Sequence, residues 1–517
     1  MADISGNSVT EIFLLPSGLR TNYVAQTGGA IIAAASMLLW PAFWNVYPLV
    51  FSDTGTYLTQ AIHRYLGWDR PVFYSLFLYP LHLQQTLWPP VMAQAGLAAW
   101  LLHLLRRVLL PEASAWMLLA LVALLSGLTA LPFIASQLMP DVFTPLLVIA
   151  IALTVLTPER LSRTEAWVLL PITAFMIAAH QSHVALSLAL LLGLLVFRRS
   201  LGAAAMAAPR RWLGCGWFWR AILPLPLACM AMVSVNLVGH GRASLSPFGN
   251  VFLLARLIYD GPGRLALERN CPQSGWRLCA ALGRLPPTSD EFLWRADSPL
   301  ADAGGAKAVS AEAGAILLAA IRENPGAVLR GFCANAAIQL TRFATGDGLQ
   351  PWPDTVTPAI VHDFPRAEAA AYAAARQQRP DLAMTGLAMT GLAMTGQAMT
   401  GQAMTDPAMT DPAMADLPPE RTLLPGPFVR LHLAAASAGI CGAVLVLIQG
   451  LRRRNIAAGF AAASLLAVLA NAAITGGLSG PHDRYQSRIV WLPLAVAMLA
   501  LPTLSVRQAA RLPAATS

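Results

Sequence analysis

Residues 142–199 read VFTPLLVIAIALTVLTPERLSRTEAWVLLPITAFMIAAHQSHVALSLALLLGLLVFRR. Three apolar runs, Val142–Leu156, Ala166–Ala179 and Val184–Phe197, are joined by two short polar connections. The first connection carries Arg160 and Arg163. The second carries His180 and His183 but no arginine, and the third run ends on Arg198–Arg199. Apolar runs hinged by connections that alternate between basic and non-basic are the signature of a chain threading a bilayer, with its arginines retained on the cytoplasmic side. Each run is shorter than the roughly 20 residues of a full span, so the boundaries are loose and two short runs admit a re-entrant reading.

The pattern extends in both directions. Further apolar segments lie near Ala30–Val50, Val91–Leu105, Ala115–Ala135, Ala221–Val238, Leu431–Ile448, Ala457–Ile474 and Ile489–Leu504. The expected fold is therefore an all-α membrane protein of about ten transmembrane helices. Composition agrees: the 517 residues are 56% hydrophobic and 12% charged. A soluble domain carries about 25% charged residues, enough to coat its surface, and this chain has half that. The net charge of +9 does not indicate nucleic acid, because the arginines sit at the ends of apolar segments where they orient helices.

Arg20, Arg106–Arg107, Arg160 with Arg163, Arg198–Arg199 with Arg210–Arg211, Arg452–Arg454, and Arg507 with Arg511 fall on alternate connections. That places the N-terminus in the cytoplasm of a multi-pass cytoplasmic (inner) membrane protein. No basic n-region followed by a short apolar stretch and cleavage site opens the chain, so residues 1–28 read as a cytoplasmic tail. The organisation that follows is an N-terminal membrane domain at 1–238 with its first outer loop at 51–90, an extracytoplasmic domain at 239–427 between spans seven and eight, and C-terminal membrane helices at 428–517. The middle region contains expected helices at Ser310–Asn324 and Gly326–Phe343, whose apolar faces suit docking on the membrane domain. It also holds a tandem pentapeptide at 382–416, LAMTG three times and then QAMTG, QAMTD, PAMTD, PAMAD. A five-residue period fits neither a heptad nor a solenoid, and the Gly, Pro and Thr content reads as a disordered linker.

The outer connections hold the residues able to do chemistry. In the first, FSDTGTYLTQAIHRYLGWDRPVFYSLFLYPLHL (51–83), Asp53 follows the first span. Thr54 or Thr56 is positioned to cap a helix from near Tyr57, with Tyr57, Leu58, Ala61, Ile62, Tyr65 and Leu66 on one face and Thr59, Gln60, His63 and Arg64 on the other. This reads as an amphipathic helix lying on the membrane. Asp69-Arg70-Pro71 then reads as the cap and start of a second apolar helix bearing Tyr74. Asp53 is either a cap or a retained functional carboxylate, since a charge at membrane depth is costly. Arg64 and Arg70 can alternatively snorkel toward headgroups.

Asp141 stands at the mouth of the fourth span, where the helix dipole alone would favour it. His180 and His183, three residues apart, share a face if helical and line a cavity or bind a metal. The last outer loop, SGPHDRYQSRIVWLPL, supplies His482, Asp483, Arg484, Tyr485 and Arg488. Arg484 and Arg488, four apart, are spaced to hold one anionic group together, with an interfacial Tyr–Arg anchor as the alternative. Cys271 and Cys279 fall in the domain assigned to an oxidising compartment and are expected to pair as a disulfide. Cys333 is left over.

An acidic residue just after the first span, paired helices in that loop, a second acidic residue in the next outer loop and a late Arg-Tyr before the final span resemble the GT-C membrane glycosyltransferases. These are the polyprenyl-phosphate-sugar-dependent enzymes typified by the protein mannosyltransferase and aminoarabinose transferase groups. The resemblance covers architecture and four short motifs. It implies that Asp53 acts at the acceptor, that Asp141 is the second acidic residue, and that Arg484 or Arg488, with Arg70, hold the lipid-borne phosphate. His63, Arg64, Tyr74, His180, His183, His482, Asp483 and Tyr485 would line the site. The implied activity is hexosyl or pentosyl transfer from a polyprenyl-phosphate donor to a glycan, lipid or protein acceptor at the outer face, with membrane lipid as partner and a divalent metal as the one candidate cofactor. The family's paired DE or DD signature is Asp53-Thr54 here. A polysaccharide polymerase or ligase and a multi-span transporter are the alternative readings. A transporter is expected to show internal repeats and mid-membrane charges.

Overall fold

A computed structural model describes residues 17–198, 200–201, 216–379, 424 and 426–509, so the repeat at 382–416 lies outside the described residues. Within them the chain is all-helical, with no strand and a single isolated bridge. The principal helices are α1 (Ser17–Leu38), α2 (Ser52–Ile62), α3 (Phe73–His82), α4 (Trp88–Leu109), α5 (Trp116–Leu128), α6 (Phe143–Leu156), α7 (Arg163–Ala178), α8 (Ser182–Phe197) and α9 (Pro224–His240). There follow α10 (Gly249–Tyr259), α11 (Ser289–Trp294), α12 (Gly305–Glu323), α13 (Pro325–Thr341), α14 (Thr357–Asp363), α15 (Arg366–Ala374), α16 (Gly426–Arg453), α17 (Ala457–Leu478), α18 (Asp483–Ser487) and α19 (Trp491–Ala509). Every apolar segment read from the sequence contains a helix, although Ala30–Val50 is helical only to Leu38 and over Trp40–Asn45, and Ala115–Ala135 is broken between Leu128 and Leu131. Among the described residues three helices are long and apolar enough to cross a membrane: Gly216–His240, Gly426–Arg453 and Ala457–Leu478. Shorter apolar helices accompany them at Ala25–Leu38, Trp116–Leu128, Pro140–Leu156, Ser182–Phe197 and Gly249–Tyr259.

Small residues let the C-terminal helices approach closely. A Cβ on Gly439 would meet the Leu494 backbone at 2.7 Å, and one on Gly450 would meet that of Ala458 at 2.9 Å. One large apolar core unites α1, the early helices and α16 to α19, and it takes in Val356, Ile360, Phe364 and Tyr372 from the segment around α14 and α15. A second core, with Val251, Leu254, Phe292, Val309 and Ile316 inside it, belongs to the region from α10 to α12. Cys271 and Cys279 are joined as a disulfide there.

The bundle has two chemically different ends. Arg107 pairs with both carboxylate oxygens of Glu165 at 2.7 Å, and Arg160 donates to the Val108 carbonyl at 2.6 Å, gathering basic connections at one end. α6 runs from beside Asp141 to beside Arg160, and its 14 residues put about 21 Å between them.

Five expectations about residues 30–73 need correction. The first span does not run to Val50: helix α1 ends at Leu38, a separate six-residue helix covers Trp40–Asn45, and Val46 takes φ 67°, turning the chain aside. Helix α2 begins at Ser52, not near Tyr57, because the extended backbone of Phe51 and the Thr54 hydroxyl, which accepts from the Phe51 N–H at 2.9 Å, start it there. Nor does it leave one face open and cover the other, as the amphipathic reading expected. Thr54, Tyr57, Leu58 and Gln60 are all buried, so both faces are covered. Gly55 permits this, since a Cβ there would sit 1.9 Å from the Thr355 carbonyl oxygen of the segment leading into α14. The helix ends at Ile62, and Arg64 at φ 54° breaks the period that was read through Leu66. Pro71 likewise stands outside α3, which starts at Phe73 without a side-chain cap from Asp69.

Candidate functional site: a carboxylate–arginine cluster

Two backbone hydrogen bonds bring the segments before Asp53 and Asp141 into register. Leu49 N–H donates to the Ser136 carbonyl and Leu138 N–H to that of Leu49, both at 2.9 Å, forming a parallel bridge between Leu49 and Gln137. Asp53 and Asp141 each follow four residues after a bridge partner, and Thr54 donates across to the Leu138 carbonyl at 3.0 Å. The approach to Asp53 is braced from the other side. The Gln377 side chain accepts from Val50 N–H at 3.0 Å and donates to its carbonyl at 2.8 Å, and Tyr47 donates to buried Glu368 at 2.7 Å. Backbone polar groups in an irregular buried segment must be paired, and Gln377 supplies that pairing at Val50.

Asp53 occupies the first turn of α2, where the helix dipole favours its charge. Its Oδ1 accepts from Arg70 Nη2 at 2.8 Å, and its Oδ2 lies 3.8 Å from Arg484 Nη1. The Arg484 guanidinium carbon stands 3.8 Å above the Phe51 ring, a cation–π contact worth about 0.5–2 kcal/mol. Its backbone N–H is held by Asp347 at 2.9 Å. Burial alone opposes a charge on Arg484, but Asp141, Tyr485 and Asp53 outweigh it and hold its pKa above the ordinary arginine value. Arg484 Nη1 is buried and makes no hydrogen bond. A buried donor left this way has a cost that an incoming anion would remove.

Behind this pair lies a second one. Arg488 is wholly buried; its Nη1 donates to Asp141 Oδ1 at 3.0 Å and its Nη2 to Asn471 Oδ1 at 3.0 Å. Asn471 in turn donates to the Tyr485 carbonyl at 2.6 Å, tying α17 to the last outer loop. The expectation that Arg484 and Arg488 share one anion is therefore revised: Arg488 is committed to Asp141 in the interior, and Arg484 alone turns to Asp53. Asp69 flanks the cluster; burial raises its pKa, Arg70 pulls it down and Asp53 adds to the rise, leaving it above the usual carboxylate value.

Of the other sequence-selected residues, Tyr485 packs its ring against both Arg484 and Arg488, at 5.3 and 5.5 Å. Tyr74 is buried below, donating to Gln94 at 3.0 Å and packing edge-on against Tyr57. His180 and His183 lie side by side with ring centroids 5.1 Å apart. Both His183 nitrogens are engaged, by Thr144 at 2.8 Å and the Met176 carbonyl at 2.6 Å, and His180 Nδ1 is 2.8 Å from Ser182 Oγ. With three of their four ring nitrogens engaged, the pair fits the alternative of satisfied polar residues lining a cavity. Among the described residues no group of three or more His, Cys, Asp and Glu is placed to hold an ion.

Four selected residues lie outside the cluster. His63 turns outward to Asp363 at 2.9 Å, and Arg64 is exposed. His482 faces Asp290 at 3.7 Å, while Asp483 accepts from the Ala344 N–H at 2.8 Å and serves as an anchor. Residues that the sequence reading missed include Asn471, Asp347, Ser182 and Phe51. Asn471 had a usable signal: an amide inside an otherwise apolar helix is costly unless it has a partner. Compared with protein-family models, curated proteins and solved structures, the chain matches none.

Proposed function

We propose that this chain is a GT-C-like membrane glycosyltransferase that moves a sugar from a polyprenyl-phosphate donor to an acceptor at the outer face of the cytoplasmic membrane. The observation that carries the reading is the pairing of a helix-first-turn carboxylate, Asp53, with Arg484, whose buried Nη1 lacks a hydrogen-bond partner. In the reaction an acceptor hydroxyl attacks the anomeric carbon, and its proton passes to Asp53. The bond from that carbon to the phosphate oxygen breaks, and the phosphate leaves with the electron pair. Arg484 is placed to meet the charge that develops on the phosphate, and Arg70 holds Asp53 in its orientation. Asp141 and Arg488 support the loop that carries Arg484 instead of touching substrate. No step requires a metal to be assigned here.

The proposal includes about ten spans with a cytoplasmic N-terminus. It is supported by the gathering of Arg107 and Arg160 at the end of the bundle opposite Asp141. Reporter fusions after Arg107 and Arg454 should therefore read cytoplasmic, and fusions within 382–416 should read extracytoplasmic. A cytoplasmic signal from the repeat would remove the site from the outer face.

The direct test is transfer of labelled sugar from polyprenyl-phosphate sugars by the purified protein. Arg484→Ala should raise the donor KM about 10- to 100-fold, the value of a charge-assisted hydrogen bond, with Arg484→Lys regaining part of the loss. An unchanged donor KM in Arg484→Ala would sink the phosphate-binding role.

A further inference from the structure

Helix α13 is built inside out. Its buried positions include the amides Asn335 and Gln339, and its exposed positions include Leu329 (64% exposed), Ile338 (45%) and Leu340 (37%), with Ala334 and Ala337 between them. The amides face the protein for specific reasons. Asn335 donates to the Asp260 carboxylate at 3.0 Å, and Gln339 makes two hydrogen bonds to the backbone of His482, at 2.8 and 2.9 Å. Gly476 and Gly477 of α17 allow the close approach, since a Cβ on either would strike Asn335, Gln339 or Phe332 within 2.6 Å. Water-facing helices place their apolar residues inward, and α13 does the reverse.

What lies beside it indicates the occupant. α17, against which α13 packs, is one of the helices long and apolar enough to cross a membrane, and its exposed residues include Leu469 (55%) and Leu478 (46%). The apolar face of α13 continues that surface outward. Arg330, in the first half of the helix and within its exposed face, and Arg342, just past the helix's C-terminal end, are both exposed, and none of the described hydrogen bonds or ion pairs engages either side chain. An exposed face of leucine, isoleucine and alanine that carries a long arginine able to reach upward, with a second arginine at its end, is the chemistry of a helix seated at the boundary between acyl chains and headgroups.

We infer that α13 binds the lipid bilayer itself, its outward face embedded among acyl chains and its arginines among headgroup phosphates. Its two bonds to His482 then hold the loop bearing Arg484 at the level of the lipid headgroups. This inference does not depend on the proposed reaction.

Cys333 lies on α13, is exposed and is free. The test places a nitroxide on it in the full chain carrying Cys229→Ala and Cys441→Ala, reconstituted in phosphatidylethanolamine and phosphatidylglycerol vesicles. Collision with oxygen, which concentrates in lipid, is compared with collision with a water-soluble nickel chelate. A label on Cys441, in the span-length α16 and itself exposed, gives the lipid reference, and one on Asp297→Cys, with the free cysteines removed, gives the water reference. The inference expects Cys333 to favour oxygen as Cys441 does. A nickel-dominated result, as at Asp297→Cys, would overturn it in favour of open water. Exclusion of both reagents would overturn it in favour of a protein partner such as a second copy. As a check on the unaltered chain, photoactivatable phospholipid in the same vesicles should leave adducts between Leu329 and Leu340, and their absence, with adducts present on α16, would count equally against it.

Discussion

Asp53→Asn should lower sugar transfer by about a hundredfold to ten-thousandfold, the usual loss when a catalytic general base is removed. The substitution keeps the volume and the oxygen that Arg70 contacts at 2.8 Å, and asparagine is tolerated in the first turn of a helix. Asp53 is also not sealed in: its side chain is 12% exposed and that of Arg70 21%, so losing the charge does not strand an ion in a dry interior. The protein should therefore insert normally and melt close to wild type. That combination separates catalysis from structure. Transfer by Asp53→Asn at near wild-type rate would refute the assignment of the base, and a matching loss of thermal stability would make Asp53 a structural ion-pair member.

Asp141→Ala should behave in the opposite way, losing the fold before the chemistry. Its partner Arg488 is wholly enclosed, and among the described residues its guanidinium otherwise meets Asn471 at 3.0 Å, Ser182 at 3.5 Å and the Tyr485 ring at 5.5 Å. Removing one member of a buried pair leaves the other charged and uncompensated, at a cost of about 3–5 kcal/mol. For a chain of marginal stability that is a large fraction of the whole. The measurement is thermal unfolding in detergent, followed by size-exclusion chromatography. Replacing both residues with apolar ones of similar volume, Asp141→Leu with Arg488→Met, should recover much of the stability. If Asp141→Ala is as stable as wild type, the pair is not holding the last outer loop in place.

The contrast between these two aspartates was only half legible in the sequence. Both stood out because a chain with so few charges makes each outer-loop carboxylate conspicuous. That Asp141 would meet Arg488 and Asp53 would meet Arg70 was not legible. The first contact joins residues 347 positions apart, and the second depends on the chain reversing between His63 and Val72. Helix existence was readable where apolar runs stand between arginines, whereas α10, α11, α14 and α15, in the more polar middle region, were not foreseen. Helix ends were not readable. Apolar residues continue past Leu38 almost to Val50, although α1 has stopped, a separate short helix covers Trp40–Asn45, and the left-handed Val46 ends it. The error at His63 and Arg64 has the same origin, since a helical period was continued past Ile62 where one positive φ had already ended it. The helix expected at Gly326–Phe343 shows a further limit: its apolar face was expected to dock on the membrane domain, but Leu329, Ile338 and Leu340 are exposed, and the buried face carries Asn335 and Gln339, whose partners Asp260 and His482 are distant in sequence.

The bridge between Leu49 and Gln137 sets a gauge for the two aspartates that side-chain chemistry cannot alter. Both of its bonds run between main-chain atoms, so any residue able to adopt an extended backbone can occupy those positions and leave the gap between the carboxylates unchanged. Proline is the exception, at Leu49 or Leu138, because it has no N–H to give. Length is a stricter matter than identity. One residue inserted between Leu49 and Asp53 would swing the carboxylate about 100° around α2, away from Arg70, while every composition-based feature of the chain stayed the same. Natural or engineered change in this region should accordingly accumulate as substitution, with the residue count between bridge and aspartate held constant.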